Sequence, residues 1–209
     1  TRMWDFMQFV NRRHGLGLDR YESLWEWSIE NIPGLWSSLW DYFDIIHSKG
    51  YDRVIDDVEK MPGAKWFEGS LLNFAENLLR YRDDRTAIIS CGEDMEPRLT
   101  TYGGLYSAVA ALARSMREAG VVRGDRIAGF MPNIPETIIA MLASASIGAL
   151  WSSCSPDFGI KGVLDRFGQI DPKIIFTADG YSYNGKRFDS LAQISGIIDR
   201  LPSIEKVVV

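Results

Sequence analysis

Cysteine and histidine are scarce in this chain. Two of each occur among 209 residues: Cys91 and Cys154, His14 and His47. The cysteines form no C-x-x-C pair and neither stands beside a pair of histidines, which excludes a structural zinc site as the organising feature. So few cysteines fit a reducing compartment. Both histidines fall early in the sequence, so no Ser/His/Asp set can be assembled around them. Nothing near Cys154 in sequence would lower its pKa, and it reads as a small buried residue rather than a nucleophile. The chain also lacks a G-x-x-x-x-G-K-[ST] phosphate loop and a G-x-S-x-G elbow. Gly15-Leu16-Gly17 opens a dinucleotide-like pattern without its third glycine or a preceding strand. No catalytic residue and no metal ligand is nominated.

A basic excess is missing as well. Lys and Arg number 23 against 28 Asp and Glu, a net charge of −5, which sets nucleic-acid binding aside. An acidic balance still allows a nucleotide ligand, because a few local cations can hold its phosphates. Long apolar runs are few. The longest uncharged stretch, residues 137–156, is interrupted by serines and alanines and breaks at Gly148. It reads as a buried helix followed by a buried strand, not as a membrane span. No apolar signal sequence opens the chain, and because Thr1 is not a natural start, residues upstream are expected.

Aromatic residues are what the chain has in plenty: 7 Trp, 8 Tyr and 10 Phe. Trp4, Trp25, Trp27, Trp36, Trp40 and Trp66 crowd the first third, and Trp151 alone lies beyond. Their large area marks them as core rather than ligand contacts. Hydrophobic residues at 46% and charged residues at 24% are ordinary globular values.

Residues 1–83 read as a helical, aromatic-rich extension. Met3, Phe6, Met7 and Val10 recur at helical spacing, as do Leu24, Trp27, Leu35, Trp36, Leu39, Trp40, Phe43 and Ile46. Pro33-Gly34 interrupts this pattern and Ser48-Lys49-Gly50 ends it. A further short helix is expected over residues 71–79. From Asp83 the texture changes. Thr86–Ser90 reads as a strand, Gly92–Glu96 as a turn and Arg98–Thr100 as a return strand. Thr101 then caps a helix that Gly120 closes in a left-handed conformation. Strands over 127–131, 149–153, 173–177 and 206–209 alternate with helices over 135–148, 159–169 and 188–201. Pro135-Glu136 suits a helix start. Such alternation implies an α/β fold with a mainly parallel sheet flanked by helices. Ending on a fresh strand reads as a domain cut short. Gly124-Asp125-Arg126 reads as a turn with a local ion pair, and Asp165-Arg166 as exposed positions of a helix that buries Leu164 and Phe167.

Several stretches carry a resemblance together. Thr101-Tyr102-x-x-Leu105 is followed by Gly120-Val121-x-x-Gly124-Asp125-Arg126, Met131-Pro132-Asn133, Pro135-Glu136, Ser146-Ile147-Gly148-Ala149 and Trp151-Ser152-Ser153. In order and spacing these resemble the start of the large domain of adenylate-forming acyl-CoA synthetases. Trp66-Phe67-x-Gly69-x-x-Leu72-Asn73-x-Ala75-Glu76-Asn77 resembles the N-terminal extension of the acetyl and acetoacetyl types. Ser153–Gly159, Gly162–Phe167 and Tyr183-Asn184-Gly185-Lys186 resemble the acetoacetyl type.

The resemblance implies that residues 84–209 are the first part of an AMP-binding domain. It implies an acetoacetate–CoA ligase of the cytosol that uses ATP with Mg2+, and CoA, and feeds ketone-body carbon to lipid synthesis. The catalytic motifs of relatives lie downstream of the point matching Val209, so this stretch alone is expected to be inactive. In the acetyl type, a Gly-Gly-Phe loop and an Arg-Gly-Gly-Arg run touch the nucleotide part of CoA. The matching positions make Ser155, Phe158, Tyr183, Gly185, Lys186 and Arg187 the candidate CoA-binding residues. Tyr183 and Lys186 stand where the two arginines would be. Two other readings stay open: a ligase for acetate or propionate, and a non-catalytic module that binds CoA or a partner protein.

Overall fold

A computed structural model describes residues 1–93 and 95–209. The chain forms two compact units, Thr1–Leu72 and Asn73–Val209.

The first unit holds helices α1 (Arg2–His14), α2 (Tyr21–Glu30) and α3 (Ile32–Tyr42) and a two-stranded antiparallel sheet of β1 (Arg53–Ile55) and β2 (Trp66–Glu68). Part of the apolar stripe seen in the sequence is its core: Phe6, Met7, Val10 and Leu24 are buried, with Trp27, Leu35 and Leu39 packed on them. Met3 and Phe43 of that stripe are exposed, and of the tryptophans expected in the core Trp4, Trp25, Trp36 and Trp66 are exposed as well. Trp40 is buried and meets the ring of Phe67 at 4.9 Å. The helical pattern breaks at Asn31, not at Pro33-Gly34. Asn31 caps α3 by accepting from the Gly34 N–H, and Pro33 sits in the first turn, where its missing N–H costs nothing. Helix α3 stops at Tyr42, short of the periodic residues that follow. The strands β1 and β2 have three residues each, too few for an alternating pattern to register in the sequence.

The second unit begins with α4 (Phe74–Leu78) and the antiparallel hairpin of β3 (Thr86–Gly92) and β4 (Met95–Thr101). The turn expected over Gly92–Glu96 centres on Asp94, which lies outside the described residues. The Thr101 hydroxyl accepts from the Gly104 N–H and caps α5 (Tyr102–Glu118), and Gly120 follows at φ 82°. Then come β5 (Arg126–Phe130), α6 (Pro135–Ser146), β6 (Leu150–Cys154), α7 (Ile160–Phe167), β7 (Ile174–Thr177), the antiparallel pair β8 (Gly180–Tyr183) and β9 (Lys186–Asp189), α8 (Ser190–Ile198) and β10 (Lys206–Val208).

Strands β10, β7, β5 and β6 form one parallel sheet in that order. Successive residues serve opposite faces. Ile127, Ile174 and Phe176 join the α5–α6 core, whereas Ala128, Phe130 and Ile175 join Val163, Phe167, Ile194 and Ile197 from α7 and α8. Both faces are covered, which explains why the strands read as unbroken apolar runs. The expected α/β class and mainly parallel sheet are observed.

One expected element is different. Phe188 and Asp189 belong to β9 rather than to a helix over 188–201. The Asp189 carboxylate accepts from the N–H groups of Leu191 and Ala192 and starts α8 only at Ser190. The turn at Gly124-Asp125-Arg126 is local, with Asp125 accepting from the Val122 N–H at 3.0 Å, but the expected local ion pair is not formed: both side chains reach across the sequence instead. Asp125 accepts from Lys173 Nζ at 3.0 Å, and Arg126 donates to the carbonyls of Ile170 and Asp171. These contacts fasten the start of β5. No helix among the described residues is long and apolar enough to cross a membrane.

Candidate functional site: the crevice at the strand switch

The order of the sheet reverses between β5 and β7. From β5 the chain crosses through α6 to β6 on one side, then returns through α7 to β7 on the other. The two crossover helices therefore lie on opposite faces, and the loops after β5 and β7 diverge. A crevice at the carboxyl ends of the strands is the geometric result, and it is where open α/β sheets bind ligands. A cavity of about 840 Å³ is found there. Pro132, Asn133 and Ile134 after β5, Ser155 and Pro156 after β6, and Ala178 and Asp179 after β7 form its walls. Tyr183 and Arg187 line it from the β8–β9 hairpin, and Cys91, Gly92 and Glu93 from the β3–β4 hairpin. A second cavity of about 530 Å³ lies against Phe158, Gly159, Phe188 and Gln193, and shares Pro156, Asp157, Tyr181 and Tyr183 with the first.

The hairpin owes its form to Asn184-Gly185. Both residues have positive φ, 52° and 67°. A two-residue turn of that kind matches the right-handed twist of the strands, and Asn-Gly is its preferred sequence. Tyr181 pairs with Phe188, Ser182 with Arg187 and Tyr183 with Lys186. Cross-strand partners share a face, so the two cations stand on opposite faces of the hairpin. Lys186 shares a face with Tyr181, Tyr183 and Phe188. Arg187 shares the other with Ser182.

The candidate residues are thus brought together unevenly. Ser155, Tyr183 and Arg187 line the larger cavity, and Phe158 and Tyr183 the smaller. Lys186 and Gly185 are exposed and line neither; they form the hairpin's closing pair and turn. The Arg166 guanidinium lies 4.1 Å from the centre of the Phe158 ring and donates to the Gly162 carbonyl. Arg166 therefore holds Phe158 through a cation–π contact, a role its spacing alone did not disclose.

Asp157, which stands in the segment matching the Gly-Gly-Phe loop, completes the site with three residues that the sequence did not single out: Tyr181, Gln193 and Glu93. Asp157 accepts from the Ser155 hydroxyl at 2.9 Å and from the Tyr181 hydroxyl at 3.0 Å. Burial, with a smaller contribution from that carboxylate, pushes the Tyr181 phenol above its ordinary pKa, so Tyr181 stays a donor. Gln193 contributes a buried amide oxygen with no hydrogen-bond partner among the described residues. Glu93 accepts from the N–H groups of Asn184 and Gly185 at 2.7 and 2.9 Å. These two bonds, that of Gly185 first, hold its carboxyl below the usual range. The Asn-Gly dipeptide was the available signal for the hairpin. For Glu93 and Gln193 there was none, because both act across long sequence separations.

The chemistry on offer is binding, not bond making. Cys154 is buried, and burial raises its thiol pKa, which makes it unreactive. No group of three potential metal ligands converges among the described residues. The site offers aromatic faces, one cation on each face of the hairpin, and the side chain of Gln193, whose amide oxygen is buried without a partner among the described residues. That set suits a nucleotide: a base to stack, a polar edge to read and phosphates to hold.

Comparison with known proteins agrees with this fold. A family model described as "Acetyl-coenzyme A synthetase N-terminus" matches residues 21–78. The chain is 45% identical to an acetoacetyl-CoA synthetase of Xenopus tropicalis over 100% of this chain and 32% of the relative. It is 40% identical to a malonamoyl-CoA synthetase of Penicillium aethiopicum over 100% of this chain and 30% of the relative. The solved structure of an acetoacetyl-CoA synthetase from Streptomyces lividans superposes with a TM-score of 0.91 at 40% identity, covering 97% of this chain and 32% of that one. The chain thus spans about a third of the length of the relatives it matches. A second family model, described as "AMP-binding enzyme", matches residues 74–209; that is most of the chain and takes in the whole crevice, and the chain belongs to this family.

Proposed function

We propose that this chain is the opening part of an acetoacetate–CoA ligase. Residues 1–83 act as its helical extension and 84–209 begin its adenylate-forming domain. The observation that carries the reading is the likeness to acetoacetyl-CoA synthetases along the whole chain at 45% identity.

The reaction runs in two steps. An acetoacetate carboxylate oxygen attacks the α-phosphorus of ATP, and pyrophosphate leaves with the electron pair of the broken P–O bond. The CoA thiolate then attacks the acyl carbon of the adenylate, and AMP leaves. Mg2+ enters with the ATP phosphates. Within this chain the work is positional. The crevice and the smaller cavity beside it take the nucleotide part of CoA, with Phe158 and Tyr183 against the base and Ser155 at the wall, while Lys186 and Gly185 at the exposed end of the hairpin and Arg187 on its other face meet the phosphates that extend past them. The setting is the cytosol and the use of ketone-body carbon in lipid synthesis.

A second reading of the acyl group has its own support. The malonamoyl-CoA synthetase is 40% identical over the same stretch, so this part of the fold serves more than one acid. The test is pyrophosphate release by the protein that carries this chain, given ATP, CoA and a panel of acetoacetate, malonamate, acetate and propionate. Preference for acetoacetate upholds the proposal, and preference for another acid moves the substrate within the same family. CoA binding with no acid turned over replaces the ligase with a binding module.

A further inference from the structure

Glu93 lies at the end of the β3–β4 hairpin, 91 positions before the residue it holds. Its two carboxylate oxygens take one hydrogen bond each, from Asn184 N–H and Gly185 N–H, at 2.7 and 2.9 Å. Consecutive residues at positive φ turn successive N–H groups into one concavity suited to an anion. Here the anion is an internal carboxylate.

This contact is not needed to satisfy buried groups. Glu93, Asn184 and Gly185 are all exposed, and water would serve their donors and acceptors. The contact fixes a position instead. A hairpin of four residues per strand has little stability of its own. At its root the Ser190 N–H donates to the Asp179 carbonyl, and midway Tyr181 donates to Asp157. Glu93 supplies an anchor at the far tip. Between these anchors sit Tyr183 and Arg187, which line the same cavity as Glu93.

We propose that Glu93 is a positioning residue: it latches the β8–β9 hairpin by its turn, keeps Tyr183 and Arg187 at the crevice, and thereby sets the affinity for the anionic substrate. The latch is a property of the fold. Its effect on affinity rests on the reading of the crevice as the CoA site.

The experiment uses the protein that carries this chain, with Glu93→Ala and Glu93→Asp. Hydrogen exchange at the amides of Asn184 and Gly185 reads the latch, and steady-state kinetics read its effect. Glu93→Ala is expected to speed exchange at both amides by about tenfold. It is expected to raise KM for CoA by about fivefold, with a smaller change in kcat and none in KM for ATP. Glu93→Asp keeps the charge one methylene short and is expected to recover part of both effects. A thermal midpoint equal to that of the parent shows that the fold is intact. Unchanged exchange overturns the latch, and faster exchange with an unchanged KM for CoA overturns the positioning role. If the parent protein shows no dependence on CoA, the functional reading fails by itself; exchange then decides, acceleration upholding the latch and its absence overturning it.

Discussion

The Tyr181 hydroxyl donates to the Asp157 carboxylate across 3.0 Å, and this one bond joins the β8–β9 hairpin to the loop after β6. The Tyr181 ring lies nearly parallel to that of Phe188, with centroids 5.1 Å apart. Phe158, next to Asp157, is held from outside by Arg166. The aromatic wall of the smaller cavity is thus built from two segments that the packing of α7 on α8 brings together and that the bond from Tyr181 to Asp157 ties directly.

Tyr181→Phe keeps the stacked ring and removes the bond to Asp157. It is expected to cost at most about 1 kcal/mol of stability, since the site is exposed to competing water. The KM for CoA is expected to rise by about twofold to fivefold. Urea denaturation paired with steady-state kinetics checks both. A large stability loss with unchanged kinetics would make the bond structural only.

Lys186 and Arg187 are adjacent in sequence but stand on opposite faces of the hairpin. They cannot grip one phosphate as neighbours, so their removals are expected to act independently. Lys186→Ala and Arg187→Ala should each raise KM for CoA by about threefold to tenfold, more than KM for ATP, and the double variant should show the product of the two factors. Isothermal titration with CoA checks this. Strong non-additivity would mean that one phosphate bridges both. If neither variant changes CoA affinity, the assignment of both residues is lost.

Much of the fold was legible because its signals are local. The Thr101 cap, the Pro135 start and the apolar runs of β5 and β7 each act within a few residues, and each is found where its pattern placed it. The turn Asn184-Gly185 is equally local: consecutive positive φ at an Asn-Gly pair closes the hairpin and sets Lys186 opposite Tyr183. Phe188 was read as helical: its apolar period fits a helix or a strand, and the positive-φ turn before it decides for the strand. Glu93 and Gln193 were illegible for another reason. Their roles depend on which hairpin or helix the topology brings beside them, and no short pattern encodes that.

Gln193 lines the smaller cavity, and its amide oxygen is buried without a partner among the described residues. An unmet buried acceptor costs stability, which a bound ligand with an N–H group would recover. Gln193→Leu is expected to stabilise the ligand-free protein by about 1 kcal/mol and to weaken CoA binding by about threefold to tenfold. Thermal melts with and without CoA separate the two effects. If the variant is both less stable and unchanged in CoA binding, the oxygen has no ligand role.

His14 is expected to make the first unit sensitive to acid. Its Nε2 lies 2.8 Å from the Ser38 hydroxyl, which spends its own proton on the Gly34 carbonyl. The imidazole must therefore donate through Nε2 and needs no second proton. Burial, and then the neighbouring Arg13, lower its pKa below the ordinary 6.5, although a helix C-terminus would by itself favour the cation. With the folded value depressed, the unfolded chain binds more protons in the window below 6.5. The stabilising contribution of neutral His14 is thus complete above about pH 6.5, shrinks as pH falls through that value, and levels off once the folded histidine also titrates. His14→Gln removes this term, along with a hydrogen bond worth about 1 kcal/mol. Carboxylates elsewhere titrate alike in both proteins, so the difference between parent and variant isolates the histidine. Urea midpoints from pH 8 to pH 5 should show the parent ahead at neutral pH by a margin that narrows on acidification. A margin constant across that range would mean that His14 keeps its unfolded pKa in the fold, and the packing of its ring on Trp27, 5.0 Å away, would then account for the whole loss.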